Sequence, residues 1–233
     1  MIRFSLFGIP VSIHPSLWLT LAVLGGLLST ESMLHLLSVA LFVIAGFFCL
    51  LCHEMGHALV WRFFGGGVPR IYLKWLGGAC SNPRARMTRL QGVLMTAAGP
   101  LASLLLGILA ALGLCAYLGD WSQGVVYTLH FAFGMMPQGA DTSADSLLAL
   151  YFFLYMIEVC LWWSMLNLIP VFPLDGGQIM DGLMHSPRQM HTISLAIACI
   201  LTILFCVLGQ WLMVVFMVML AVLNHHFRRQ APY

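Results

Sequence analysis

The sequence predicts an all-α polytopic membrane protein, with about six transmembrane helices and short membrane-associated β-strands and hairpins on the cytoplasmic side. Of its 233 residues, 61% are hydrophobic and only 8% are charged, whereas roughly 25% of the residues in an ordinary soluble domain are charged. The apolar residues form long runs, and a helix that spans a bilayer needs about 20 mainly apolar residues. These observations exclude a soluble globular protein. The lipid bilayer is the expected surrounding, and nucleic acid is not an expected partner.

Six apolar runs are candidate spans, at residues 17–30, 36–60, 90–118, 147–168, 192–208 and 211–224. If the last two runs were one helix, it would be about 50 Å long at 1.5 Å per residue, too long for a single crossing. Gly209 and Gln210 are therefore predicted to form a turn. The first run could also be a cleaved signal peptide, but it begins only after Pro15 and has a weakly charged segment before it.

The charges indicate the orientation, because basic residues mark the cytoplasmic side of a membrane protein. All ten lie on one side of the six-span arrangement: Arg3, Arg62, Arg70, Lys74, Arg84, Arg86, Arg89, Arg188, Arg228 and Arg229. The opposite loops contain only acidic charges: Glu31, Asp120, Asp141 and Asp145. Both termini are therefore expected in the cytoplasm, in what we expect to be a prokaryotic inner membrane.

Two segments outside the spans have the pattern of β-strands. Residues 1–15 are predicted to form a short hairpin around a Gly-Ile-Pro turn. Residues 68–83 are predicted to be a strand-rich cytoplasmic or re-entrant segment, with Gly77 and Gly78 as a bend. This second segment is either a cytoplasmic cap or an edge that pairs with an unwound substrate through Leu73, Gly77 and Gly78. Because no segment is large enough for an appended soluble domain, a single membrane domain over 1–233 is expected.

One polar cluster interrupts the second run. In HEMGH, His53 and His57 are four residues apart, so on a helix both imidazoles lie on one face and can bind one zinc ion. Glu54 is rotated away from them, and in this motif such a glutamate is the general base for the metal-bound water. Ionisable groups within a span are costly and indicate function. The motif therefore predicts a zinc site, toward the cytoplasmic end of its span.

A catalytic zinc usually takes three protein ligands and leaves one position for water. Asp175 is the best candidate for the third ligand, because it follows the fourth run in NLIPVFPLDGG, on the cytoplasmic side. The two prolines there end the helix, and Gly176-Gly177 would allow a sharp turn toward the metal. Glu158 lies near the middle of the membrane, at a different depth. Cys49, four residues before His53, is interpreted as a packing residue although a thiol can bind a soft metal.

HEMGHAL and NLIPVFPLDGG together resemble the site-2 protease family of intramembrane zinc metalloproteases, whose signature joins H-E-x-x-H to a distant L-D-G. Supporting similarity lies in GIPVSIHPS, in the glycine pair at 77–78 and in AAGPLASLLLG at 97–107. The resemblance covers 8–177, and the last two spans are similar to the family only as hydrophobic helices. It implies the compact form of the family, since no PDZ domain and no CBS pair are recognised.

The resemblance implies one Zn²⁺ per chain, with His53, His57 and Asp175 as ligands and Glu54 as the general base. It also implies that Asn167 supports the substrate backbone or the transition state. The expected activity is hydrolysis of peptide bonds in or near transmembrane segments, as in regulated intramembrane proteolysis. The expected substrates are single-span membrane proteins or remnants of signal peptides.

Two features leave other interpretations open. Ser103 stands near the position where many members of the family have an asparagine, so the polar contact of that asparagine is not carried over. The alternative to a protease is a metal-binding membrane protein without catalysis, or a zinc transporter. Its main support is Glu158, a membrane acid that the protease mechanism does not use.

Overall fold

The computed structural model describes residues 1–75, 77–81, 87–135 and 143–231. It contains four strands and eight α-helices within these ranges: β1 Ile2–Leu6, β2 Ile9–Ile13, α1 Pro15–Leu24, α2 Met33–Phe63, β3 Arg70–Lys74, β4 Gly77–Ser81, α3 Arg89–Leu118, α4 Trp121–Ala132, α5 Ala144–Leu168, α6 Asp175–Leu183, α7 Pro187–Val207 and α8 Trp211–Gln230. A short 3₁₀ turn, Leu27–Ser29, separates α1 from α2. The chain divides into two compact units, Met1–Ala85 with Ala98–Ser164, and Arg86–Ala97 with Met165–Tyr233.

The predicted fold class is confirmed: this is an integral membrane protein of apolar helices with one small sheet. Five of the described helices are long and apolar enough to cross a bilayer, namely α2, α3, α5, α7 and α8. The first predicted span, 17–30, is not such a helix. α1 has ten residues and is only about 15 Å long, half of the bilayer's hydrocarbon core. The last two spans are separate helices as predicted, with Gly209 at a φ of 69° between them.

The first unit contains a four-stranded sheet in the order β1-β2-β3-β4. β1 and β2 form the predicted hairpin, but the turn is at Phe7 and Gly8, which have φ values of 51° and 75°, and the Ile-Pro pair lies in β2. β3 pairs in parallel with β2 and antiparallel with β4. The predicted bend at Gly77 and Gly78 is also wrong. Both glycines lie within β4, and Trp75, at a φ of 54°, precedes that strand.

The buried face of this sheet packs against α1 and α2. Ile9, Val11 and Ile13 alternate along β2, as the period of a strand requires. They join a core cluster with residues of β3, α1 and α2: Ile71, Leu73, Leu17, Leu21, Leu50, Leu51, Met55 and Ala58. Because the α2 members of this cluster lie before, within and after residues 53–57, the sheet lies against α2 at the level of the HEMGH motif.

α3 approaches α2 closely at the same level. Gly56 makes this possible, because a Cβ there would overlap the backbone of Ala98 and lie 2.8 Å from the Cβ of Ala102. Small residues of this kind allow two membrane helices to pack with their backbones near each other. The contact places the Gly99-Pro100 region of α3 beside the motif.

The second unit is built around the hairpin of α7 and α8. One buried apolar cluster joins both helices to the loop that follows α5, and it contains Val171, Ala198, Met217 and Leu220. α6 follows this loop and begins at Asp175. Gly182 near its end lies against Val93, since a Cβ there would approach the Val93 side chain to 2.6 Å.

Candidate metal centre

The H-E-x-x-H motif lies on α2 and is buried. His53, Glu54 and His57 are 3%, 6% and 7% exposed, and their possible ligand atoms lie within 4.8 Å of one another. The Nε2 atoms of the two histidines are 3.2 Å apart. Two nitrogens bound at 2.0–2.1 Å to one tetrahedral zinc are about 3.3 Å from each other. The spacing of the motif along the helix therefore gives a nitrogen pair that fits a zinc ion.

Two serines lie near Nδ1 of His53, the ring nitrogen that does not face His57. Nδ1 of His53 is 3.4 Å from the hydroxyl oxygen of Ser103, which is fully buried. Ser103 and Ser164 are 2.7 Å apart through their hydroxyls, and Ser164 donates to the carbonyl oxygen of Cys160 at 2.7 Å.

The hydrogen bonds of the two serines indicate which ring nitrogen of His53 carries the proton. Ser164 donates its single proton to the carbonyl of Cys160, so the short contact between the two hydroxyls uses the proton of Ser103, and toward His53 the Ser103 oxygen acts as the acceptor. The proton of His53 then lies on Nδ1, and the Nε2 lone pair faces the metal position. Histidine ligands of metals ordinarily have such a partner on the other nitrogen. This chain lacks the asparagine that many members of the family have near this position, and Ser103 makes a polar contact with His53 there.

Two glycines let the backbones of α3 and β4 lie directly against side chains of the motif. A Cβ at Gly99 would overlap the imidazole of His57, and a Cβ at Gly78 would overlap the carboxyl group of Glu54. Gly78 lies in β4, so this strand passes directly beside the predicted general base. Sequence reasoning noted both glycines as family similarity but did not find this contact.

Leu73 is not available for strand addition, which corrects the prediction for this residue. It pairs with Ile13 on one side and with Gly78 on the other, so both edges of β3 are occupied. Gly77 and Gly78 lie on β4, which is the last strand of the sheet in the order β1-β2-β3-β4. An added strand would therefore have to pair with an edge strand, β1 or β4, and of these β4 passes beside Glu54.

Asp175 and Asn167 belong to the second unit. Asp175 is 7% exposed and is the first residue of α6, and Asn167 is 9% exposed near the end of α5. Gly176 and Gly177 are helical rather than a sharp turn. Glycine is needed at both positions for a different reason. A Cβ at either would overlap the backbone of residues 168–172. The roles of Asp175 as a ligand and of Asn167 as a support for the substrate stay predictions.

Cys49 packs among apolar residues between helices, and Glu158 lies against a turn. Cys49 is fully buried in an apolar cluster with Ala45, Met156 and Cys160. The half-buried Glu158 lies against the turn that follows α4, where a Cβ at Gly134 would be 2.7 Å from its Oε1. The described part of the chain therefore gives no specific support for a transport pathway through Glu158.

A buried H-E-x-x-H within a spanning helix, backed by a serine and flanked by the last strand of a small sheet, defines a membrane-embedded metalloprotein with a hydrolase motif. The chain belongs to peptidase family M50, whose family model matches residues 41–208. The site-2 protease family predicted from the sequence is thereby confirmed.

Two comparisons with individual proteins agree with this family. The chain is 27% identical over 185 residues to zinc metalloprotease MJ0392 of Methanocaldococcus jannaschii. The matched residues make up 78% of this chain and 44% of that relative. It thus covers less than half of the relative's length. A solved structure, the site-2 protease from Methanocaldococcus jannaschii, matches with a TM-score of 0.52 over 98% of this chain and 94% of that chain. At 23% identity, this match shows a shared fold.

Proposed function

We propose that this protein is an intramembrane zinc metalloprotease, which hydrolyses peptide bonds in or near the transmembrane segments of membrane-anchored substrates. The observation that carries the proposal is the buried Nε2 pair of His53 and His57, 3.2 Å apart, with Glu54 beside the last strand of the sheet. Membership of peptidase family M50 supports both the metal and the reaction class.

His53 and His57 would hold the zinc ion, with Asp175 as the third ligand. When bound, zinc supplies Lewis-acid activation of a carbonyl and makes water reactive near neutral pH. Glu54 accepts a proton from the attacking water as the new C–O bond forms. It then gives this proton to the peptide nitrogen as the C–N bond breaks, so the carboxylate is regenerated. Asn167 would bind the substrate backbone near the reacting carbonyl.

β4 would hold the substrate. A helical substrate has its peptide bonds in intrahelical hydrogen bonds, so it must unwind before cleavage, and an extended segment can pair with the exposed edge of a sheet. Gly78 on β4 lies against Glu54, so a strand added to β4 would run beside the general base. Single-span membrane proteins and signal-peptide remnants are the proposed substrates, in a prokaryotic inner membrane with the site toward the cytoplasm.

The decisive variant is Glu54→Gln, which removes the base and leaves both histidines in place. We expect it to abolish cleavage of a co-expressed membrane-anchored reporter while the purified protein still contains about one zinc ion per chain. The matched control is Glu31→Gln, the same change at an exposed acid before α2, which should cleave like the wild type. Undiminished cleavage by Glu54→Gln would contradict the proposed function. Proteomics of membrane fragments from cells with the wild type or Glu54→Gln would then identify the substrates.

A further inference from the structure

The loop between α5 and α6 has a polar anchor that comes from the last two membrane helices. Both backbone polar groups of Phe172 are bound by side chains. The N–H of Phe172 donates to the hydroxyl of Ser194 at 3.2 Å, and its carbonyl accepts from Nδ2 of Asn224 at 2.6 Å. Backbone N–H and C=O groups outside regular secondary structure need other partners, and α7 and α8 supply one each.

Asn224 is locked in a single orientation. It is fully buried, and its Nδ2 donates both to Phe172 and to the carbonyl oxygen of Leu220 at 2.9 Å. Its Oδ1 lies 3.0 Å from Nδ1 of His191. With the amide reversed, its oxygen would face two carbonyl oxygens, so the amide nitrogen must point toward Phe172. His191 then donates to the amide oxygen.

Aromatic packing holds the same place. The rings of Phe172 and His191 meet edge to face at 5.4 Å, and the ring of Phe227 lies 5.7 Å from Phe172 and 5.4 Å from His191. Phe172 is thus held by its backbone and by its ring, from α7 and from α8. We call Ser194, Asn224 and His191 the loop clamp.

The held peptide is three residues before Asp175. Gly177 packs against the backbone of Val171 and Phe172 with no room for a Cβ, so the first turn of α6 rests directly on the clamped backbone. A shift of Phe172 must therefore move the start of α6, where Asp175 lies. We propose that the loop clamp consists of positioning residues that set the place of the Asp175 carboxylate, and through it the affinity of the metal site. This inference rests on the proposed role of Asp175 as a zinc ligand.

The test measures metal binding rather than cleavage. Co²⁺ is titrated into the purified, metal-free full chain in detergent, and both the apparent affinity and the visible absorption spectrum of bound Co²⁺ are recorded. Asn224→Leu and Ser194→Ala should weaken binding by about 10- to 100-fold, the usual range for partners that orient a ligand, and should alter the spectrum. Thr202→Val is the matched control, because it removes a hydroxyl that bonds Ala198 on α7 at 2.8 Å and should bind Co²⁺ like the wild type.

A second background separates the clamp from the ligand. In Asp175→Asn, binding should be weakened, and adding Asn224→Leu should weaken it no further. Equal losses from Asn224→Leu in both backgrounds, or wild-type binding by the folded Asn224→Leu variant, would overturn the loop clamp and leave the proposed function intact. Wild-type binding by Asp175→Asn would overturn the role of Asp175 and the loop clamp with it. If Asn224→Leu does not fold, the smaller change Ser194→Ala decides by the same criteria.

Discussion

At the scale of single residues, the chemistry of the site depends on small side chains as much as on the charged ones. Ser103 orients His53, while Gly99 and Gly78 leave the space that His57 and Glu54 occupy. A buried ligand that is free to rotate binds metal weakly, so the neighbours that restrict it are part of the site.

Removing the hydroxyl of Ser103 should loosen the imidazole of His53. In Ser103→Ala the Nδ1–H loses its acceptor within a buried site, and we expect zinc affinity to fall by about 10-fold or more. Competition with a chromophoric chelator measures this. Ser164→Ala, one step further from the ring, should have a smaller effect. An affinity unchanged in Ser103→Ala would contradict the orienting role of this serine.

Gly99→Ala should displace His57. The added methyl group overlaps the imidazole, and a well-packed interior does not absorb such an overlap without a shift. We expect the zinc content of the purified variant to fall clearly below one per chain. Gly92→Ala is the control in the same helix, since a Cβ at Gly92 has no atom within 4 Å and alanine favours helix more than glycine does. Full zinc content in Gly99→Ala would show that α3 and α2 can separate at this point.

At the scale of elements, β4 links the sheet to Glu54, the proposed general base. Gly77 and Gly78 are neighbours in this strand with opposite surroundings. A Cβ at Gly77 has no atom within 4 Å, whereas one at Gly78 overlaps the Glu54 carboxyl group. Gly78→Ala should therefore reduce reporter cleavage strongly while zinc stays bound. Gly77→Ala should cleave at a rate near that of the wild type. Comparable activity of the two variants would mean that β4 does not lie against Glu54 during catalysis.

The sequence predicts those elements whose signals are local. The HEMGH motif predicts that two imidazoles lie on one helix face, because four residues make about one helical turn. The alternation of apolar residues in β2 predicts a half-buried strand. Contacts between distant residues leave no such signal. Ser103 and Ser164 are 61 positions apart and His191 and Asn224 are 33 apart, and their pairing depends on how helices pack. For the second pair, the sequence does contain one sign: Asn224 stands alone in an apolar helix, and a buried amide needs hydrogen-bond partners.

At the scale of the whole molecule, the N-terminal segment runs along α2 by combining a strand with a short helix. β2 pairs with β3, which follows the end of α2, so the start of the chain lies on the side where α2 ends. α1 then runs back along α2, since Leu21 lies against Gly46 and Gly26 lies beside His35 near the start of α2. Strand, helix and 3₁₀ turn together therefore bring the chain back to the start of α2, although α1 alone is too short to span a bilayer.

If the N-terminal segment crosses the membrane together with the five long apolar helices of the described residues, six crossings result, and we expect both termini on the same side. Arg3 near one end and Arg228 and Arg229 near the other predict that this side is the cytoplasm. Epitope tags at the two termini should be protected from antibody in right-side-out vesicles and accessible in inverted ones, and a tag inserted at Glu31 should show the reverse. Termini on opposite sides would mean five crossings and a first segment that stays on one side. Two termini exposed in right-side-out vesicles would keep the six crossings and reverse the orientation, so that the zinc motif would lie toward the outer face.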